Sequence, residues 1–277
     1  MIGPVKGEWL KAWRSPYLWT VGLLMMLVLL ARGYGLDWFL MSQSSATLSP
    51  AIIAGYKHAL APAAFAQQAL GNPGGVTWAL EFVLGVLIFG SEYGWRTLAA
   101  MLMVGPSRAT VFGAKTVVLV GVVVLLVLLR FVTALASSVI SAVTLDLPFS
   151  LPPAGDVATG FAAACLIAIT YASFGALLSL IFRRASIAYA VGLTYLFVFE
   201  DRAFGVIAKS SAQSLRDLTM GFPGPNSVAL VHNLGGGTGS TVAAVNAGSG
   251  QAAVVLALYC LAALGIGCAI LVRRDET

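Results

Sequence analysis

Long apolar runs separated by short polar or charged stretches recur along the whole chain. A helix needs about 20 mostly apolar residues to cross the hydrocarbon core of a bilayer. Six stretches meet or approach that length: Tyr17 to Met41, Gly75 to Ser91, Val111 to Ile140, Val157 to Phe182, Ala185 to Phe204 and Gln251 to Val272. The pattern predicts an all-α integral membrane protein with six transmembrane helices in a single domain over residues 1–277. The first run is the most interrupted, because Arg32, Gly33, Gly35 and Asp37 fall inside it.

The stretches between the runs have characters of their own. On a helical wheel of residues 1–16, Val5, Trp9, Ala12 and Trp13 share one side with Tyr17 just beyond, while Glu8, Lys11, Arg14 and Ser15 share the other. Such a helix suits the membrane interface, with Trp9 and Trp13 among headgroups and Lys11 and Arg14 facing water. A basic anchor that only sets topology would have the same composition. Residues 91–110 read as a short helix with Trp95, Leu98, Ala99 and Leu102 on one stripe, ended by Pro106. A stripe of that kind docks into a groove on a soluble partner or lies on the inner leaflet. The segments 42–74 and 200–250 are expected outside, the latter with "GFPGPN" and a glycine-rich linker at Gly235 to Gly239.

Composition agrees with the pattern: 59% of residues are hydrophobic, 10% are charged, and the mean hydropathy is +0.91. A soluble domain carries roughly 25% charged residues. The net charge of +5 could point to nucleic acid, but the basic residues cluster beside the apolar runs, where they set topology. With both termini inside, Lys6, Lys11, Arg14, Arg96, Arg108, Lys115, Arg183, Arg184, Arg273 and Arg274 face the cytoplasm, ten of the sixteen Lys and Arg. The N-terminal basic and apolar pattern mimics a secretory signal, but no small-x-small cleavage site follows, so the first run is expected to be retained.

Catalytic constellations are sparse. His58 and His232 are far apart, and no HExxH, GxSxG or Walker loop occurs. Cys165, Cys260 and Cys268 lie inside apolar runs and read as packing residues, with no metal expected. Glu81, near the middle of the second run, is either a polar point on a substrate path or a neutralised structural group. Arg130 is expected near the outer end of the third run, separated in depth from Glu81 and snorkelling to headgroups. Ala164, Ala168, Ala172 and Ala176 form a small-residue ridge that fits close packing within the bundle or against a second copy.

The stretch "SEYGWRTLAAMLMVGPSRATVFGAK" resembles the segment after the second span in ABC-2 type permeases, the membrane subunits of bacterial ABC exporters. That family shows a Glu, a Thr five residues on, an apolar stretch, a Pro with a nearby Arg, and a Lys opening the third helix. Glu92, Thr97, Pro106, Arg108 and Lys115 occupy those places, with Arg96 where a small residue is usual. "VKGEWLKAWRSPYLW", "GALLSLIFRRASIAYAVGLTYLF" and the region from "FVFEDRAF" to "GFPGPNSVAL" are similar to other parts of the family.

The resemblance implies an ABC-2 fold and a permease paired with a second copy or a homologous permease. Two ATP-binding subunits would carry ATP and Mg, with no cofactor on this chain. Glu92, Trp95, Arg96, Thr97, Leu98 and Leu102 would form a coupling helix on the ATPase, with Arg108 and Lys115 nearby. The expected setting is a bacterial cell membrane, and the expected activity is outward movement of a hydrophobic or amphipathic substrate. A peptide-antibiotic immunity or sensing complex with the same fold is the alternative, and an intramembrane enzyme a remote one.

Overall fold

A computed structural model describes residues 2–44, 49–71, 75–95, 107–203, 207, 219–235 and 247–273. The described residues are almost entirely helical, without a strand among them. In chain order the helices are α1 (Ile2–Arg14), α2 (Pro16–Leu29), α3 (Leu36–Ser44), α4 (Pro50–Leu60), α5 (Phe65–Gly71), α6 (Gly75–Trp95), α7 (Arg108–Thr144), α8 (Ala154–Phe182), α9 (Ala185–Thr194), α10 (Pro223–Asn233) and α11 (Ser249–Arg273).

Local chemistry sets many of the ends. Pro16, Pro50 and Pro223 open α2, α4 and α10, where the missing N–H of proline is no loss and its fixed φ is already helical. Ser107 caps α7, its hydroxyl accepting from the Thr110 amide at 3.3 Å. Arg183 ends α8 in the left-handed region at φ 53. The interruption in the first apolar run does not break it: Leu30–Gly35 is a turn of π-helix joining α2 to α3. That wider turn carries Tyr34 inward, where its hydroxyl donates to the Ala134 carbonyl of α7 at 2.8 Å.

Four helical stretches among the described residues are long and apolar enough to cross a membrane: Pro16–Leu40, Arg108–Thr144, Ala154–Phe182 and Ser249–Arg273. A fifth forms if Pro62–Leu70 and Gly75–Ser91, bent by 56°, act as one span. Ala185–Glu200 is apolar but shorter. The chain is therefore built like a membrane-spanning helical protein, with four or five long apolar helices. At about 1.5 Å per residue α7 is roughly 55 Å long, well beyond a hydrocarbon core of about 30 Å.

The most extensive helix packing is between α6 and α8, followed by α8 and α11. The crossing of α6 and α8 has backbone against backbone. A Cβ on Gly85 would run into the Ala172 carbonyl, and one on Gly175 into the Phe82 carbonyl, so only glycine fits at either position. The alanine ridge faces this packing, with Ala164, Ala168, Ala172 and Ala176 all buried. It therefore serves the chain's own bundle, the choice that its spacing alone leaves open.

Two stretches expected as outside loops are partly core. Leu60, Phe65, Ala69 and Leu70 are buried, and α5 packs on α7 and α8. Every residue from Pro223 to Val231 is buried, and α10 lies against α11. Two prolines, a glycine, an asparagine and a serine at the start of α10 look like a polar turn, yet the following residues, Val228 to Val231, are apolar and buried.

Candidate functional site

Outside the apolar packing, buried charge concentrates at three places among the described residues. The first is at the α1 end of the bundle. Lys115 of α7, 2% exposed, donates to the Glu8 carboxylate at 3.4 Å and to the Ile88 carbonyl of α6 at 3.2 Å. Its ammonium also lies 5.8 Å from the centre of the Phe89 ring. One lysine thus ties α1, α6 and α7 together.

This geometry corrects the expected face of the N-terminal helix. Glu8 is not on a solvated polar side: it is buried, with Val5 and Ala12 packed toward the core beside it. The wheel groups residues by polarity, but a partner ammonium on α7 compensates the charge of a carboxylate turned inward. Lys11 and Arg14 do lie on the exposed surface, as expected. Trp9 and Trp13 are 37% and 44% exposed, stacked at 6.4 Å, and Trp13 meets Trp19 edge-on at 4.8 Å. Lys115 likewise turns into the bundle rather than outward toward the face expected for a partner.

The second place is mid-bundle. Arg130 Nη1 of α7 lies 3.3 Å from Glu81 Oε1 of α6, and both residues are buried. The expectation that the two are separated in depth, with Arg130 snorkelling outward, is overturned. The reason is axial register: α7 continues to Thr144, so Arg130 sits well inside it, while Glu81 lies in the first third of α6. The pair is incompletely satisfied, since Glu81 Oε2 and Arg130 Nε have no hydrogen-bond partner.

Sequence reasoning missed the third place. Glu200, expected among outside acidic residues, is 2% exposed and accepts from the Tyr171 hydroxyl of α8 at 2.8 Å. Tyr171 stacks on Trp78 of α6 at 5.2 Å. Gly224, in the first turn of α10, packs so close to Glu200 that an added Cβ would sit 3.0 Å from its Cδ. A carboxylate at the start of a buried helix complements the positive end of its dipole. The clue was present: five apolar or aromatic residues, Tyr195 to Phe199, lead directly into Glu200.

No His, Cys, Asp and Glu cluster capable of holding a metal occurs among the described residues. Of the coupling candidates, Arg96, Thr97, Leu98 and Leu102 lie outside the described residues. Glu92 and Trp95 belong to the last turn of α6, and Arg108 opens α7 behind the Ser107 cap. The ends of α6 and α7 therefore bracket the segment whose sequence carries the family resemblance. No protein-family model matches the chain, and no curated protein matches it either.

Proposed function

We propose that this chain is the permease subunit of an ATP-driven exporter of the ABC-2 type, with six spans and both termini in the cytoplasm of a bacterial cell. Residues 91–110 are the coupling segment, seated on one of two ATP-binding subunits. Substrate movement takes place at the interface with a second permease copy or a homologue. The substrate is hydrophobic or amphipathic, and ATP and Mg belong to the partner.

The observation that best supports this reading is the Lys115 clamp. A force applied to the segment between α6 and α7 reaches both helices at its ends, and Lys115 links those same helices to α1 through Ile88 and Glu8. Three elements are thus joined through the two helices that flank the segment the resemblance assigns to the ATPase contact.

The test is co-purification of the tagged chain from native membranes in mild detergent. A stoichiometric ATP-binding chain is expected, and the Trp95→Asp/Leu98→Asp double variant should lose it while still inserting. If no ATPase accompanies the wild-type chain, or if the double variant retains it with undiminished stimulated hydrolysis, the coupling assignment is wrong.

A further inference from the structure

Three glutamates are buried among the described residues: Glu8, Glu81 and Glu200. Two of them face a cation, with Lys115 standing 3.4 Å from Glu8 and Arg130 standing 3.3 Å from Glu81. The surroundings of Glu200 are of another kind. Its carboxyl accepts from the Tyr171 hydroxyl of α8 at 2.8 Å, and the Tyr195 hydroxyl and the Gly224 amide of α10 also face it. Tyr259 of α11 lies within electrostatic reach, and Ser227 of α10 faces Tyr171. All of these groups are neutral or, like the tyrosines, carry no positive charge in any state. Glu200 Oε1 has no hydrogen-bond partner.

The backbone delivers this carboxyl inward against the grain of its neighbours. Tyr195–Ala203 winds as π-helix beyond α9, a form that recurs at functional sites. Phe197, Val198 and Phe199 are exposed while Glu200 is buried. Apolar side chains thus face outward and an acid faces the bundle, the arrangement expected of a functional acid at membrane depth.

An ionised Glu200 would be poorly served here. The start of α10 offers about half a positive charge, where Glu8 and Glu81 each have a full cation. A buried charge without a counter-charge is relieved by neutralising the group, since the neutral form loses far less on leaving water. A proton on Oε1 removes the charge and leaves Oε2 free to keep the Tyr171 hydrogen bond.

We propose that Glu200 is a proton-binding site, its side chain held as a neutral carboxylic acid with the proton on Oε1 and the Tyr171 hydroxyl donating to Oε2. Loss of that proton would place an unpaired charge between the π-helical stretch, α8 and α10, so the proton and the closure of this seam are linked. The inference needs neither an ATPase nor the coupling segment, so it and the exporter reading fail separately.

The test uses the full chain in lipid bilayers at neutral pH, read by infrared spectroscopy. The wild-type chain is expected to show a carboxylic-acid carbonyl band that Glu200→Gln removes, with the carboxylate bands unchanged. Tyr171→Phe should move that band to higher frequency as the acid loses a donor. Loss of a carboxylate band in Glu200→Gln overturns the proposal. So does a Glu200 carboxylate band that shifts when sodium replaces potassium, which would assign the site to a metal cation. Solid-state NMR of the wild-type chain, labelled in glutamate and tyrosine, decides the matter even if the variants do not fold. The glutamate carboxyl carbon in contact with a tyrosine ring should carry the shift of a neutral acid, and a carboxylate shift there overturns the proposal.

Discussion

The two buried ion pairs differ in a way that distinguishes their parts in the molecule. Lys115 and Glu8 meet at the edge of the bundle, beside a cavity, and neither has an orphaned buried atom. Arg130 and Glu81 meet deep between α6 and α7, and each keeps one buried polar atom without a partner. The edge pair is satisfied and joins three elements, including the N-terminal helix. The central pair is under-satisfied in a place where an uncompensated charge costs several kcal/mol. Buried pairs are weak evidence for stability in themselves. The central one is better understood as a constraint: it fixes α6 and α7 in one axial register, and a shift of either helix would leave two charges alone.

The largest effect should therefore come from breaking the central pair on one side. Arg130→Met leaves the Glu81 carboxylate without its cation, a change that costs about 3–5 kcal/mol in buried pairs, less whatever protonation of Glu81 recovers. Thermal unfolding in detergent should show a large loss. The Glu81→Gln/Arg130→Met double variant should regain most of it. A single variant as stable as wild type would mean that the two charges are not desolvated together.

The edge pair should be cheaper to break. Lys115→Met removes hydrogen bonds to a carboxylate and a carbonyl, but Glu8 borders a cavity and can turn toward water or toward Lys11. A loss of about 1.5–3 kcal/mol is expected, the range for a hydrogen bond involving a charged group. Its signature should be local. Trypsin should cut faster at Lys11 and Arg14 as α1 detaches, with little change in cleavage at Arg183 or Arg184. Uniformly faster cleavage would show that Lys115 supports the whole bundle rather than the α1 junction.

The contrast also explains what could be read in advance from the residues. The apolar runs announce themselves because hydrocarbon tolerates little else, and the interruption at Arg32 to Asp37 did mark a real irregularity, the π-helical turn. Partnership of buried charges was not legible. Pairing depends on the relative axial positions of helices distant in sequence, and those positions depend on ends such as Thr144 that hydropathy blurs. A helical wheel places Glu8 outward because it assumes that charge faces water, an assumption that a buried lysine from another helix reverses. Glu200 and α10 are hidden for a related reason: the run "GFPGPNSVALV" opens on residues that favour turns, while its Pro223 start and Val228 to Val231 run are those of a short buried helix. The stretch from Arg96 to Leu102, on which the coupling reading depends, lies outside the described residues and rests on its sequence.

The smallest effect should come from the apolar contact that accompanies the edge pair. Trp9 crosses α7 at Gly121, where an added Cβ would stand 2.9 Å from ring atom Cζ3. Gly121→Ala improves helix propensity by up to about 1 kcal/mol and pushes against the far edge of a ring that is 37% exposed and free to swing outward. The two contributions oppose each other, so unfolding should move by less than about 0.5 kcal/mol, as for ordinary surface changes. Tryptic cleavage at Lys11 should rise only slightly, far less than in Lys115→Met. If Gly121→Ala instead releases α1 as fully as Lys115→Met does, ring packing rather than the ion pair holds the N-terminal helix. The Lys115 clamp would then lose its place as the junction between α1, α6 and α7.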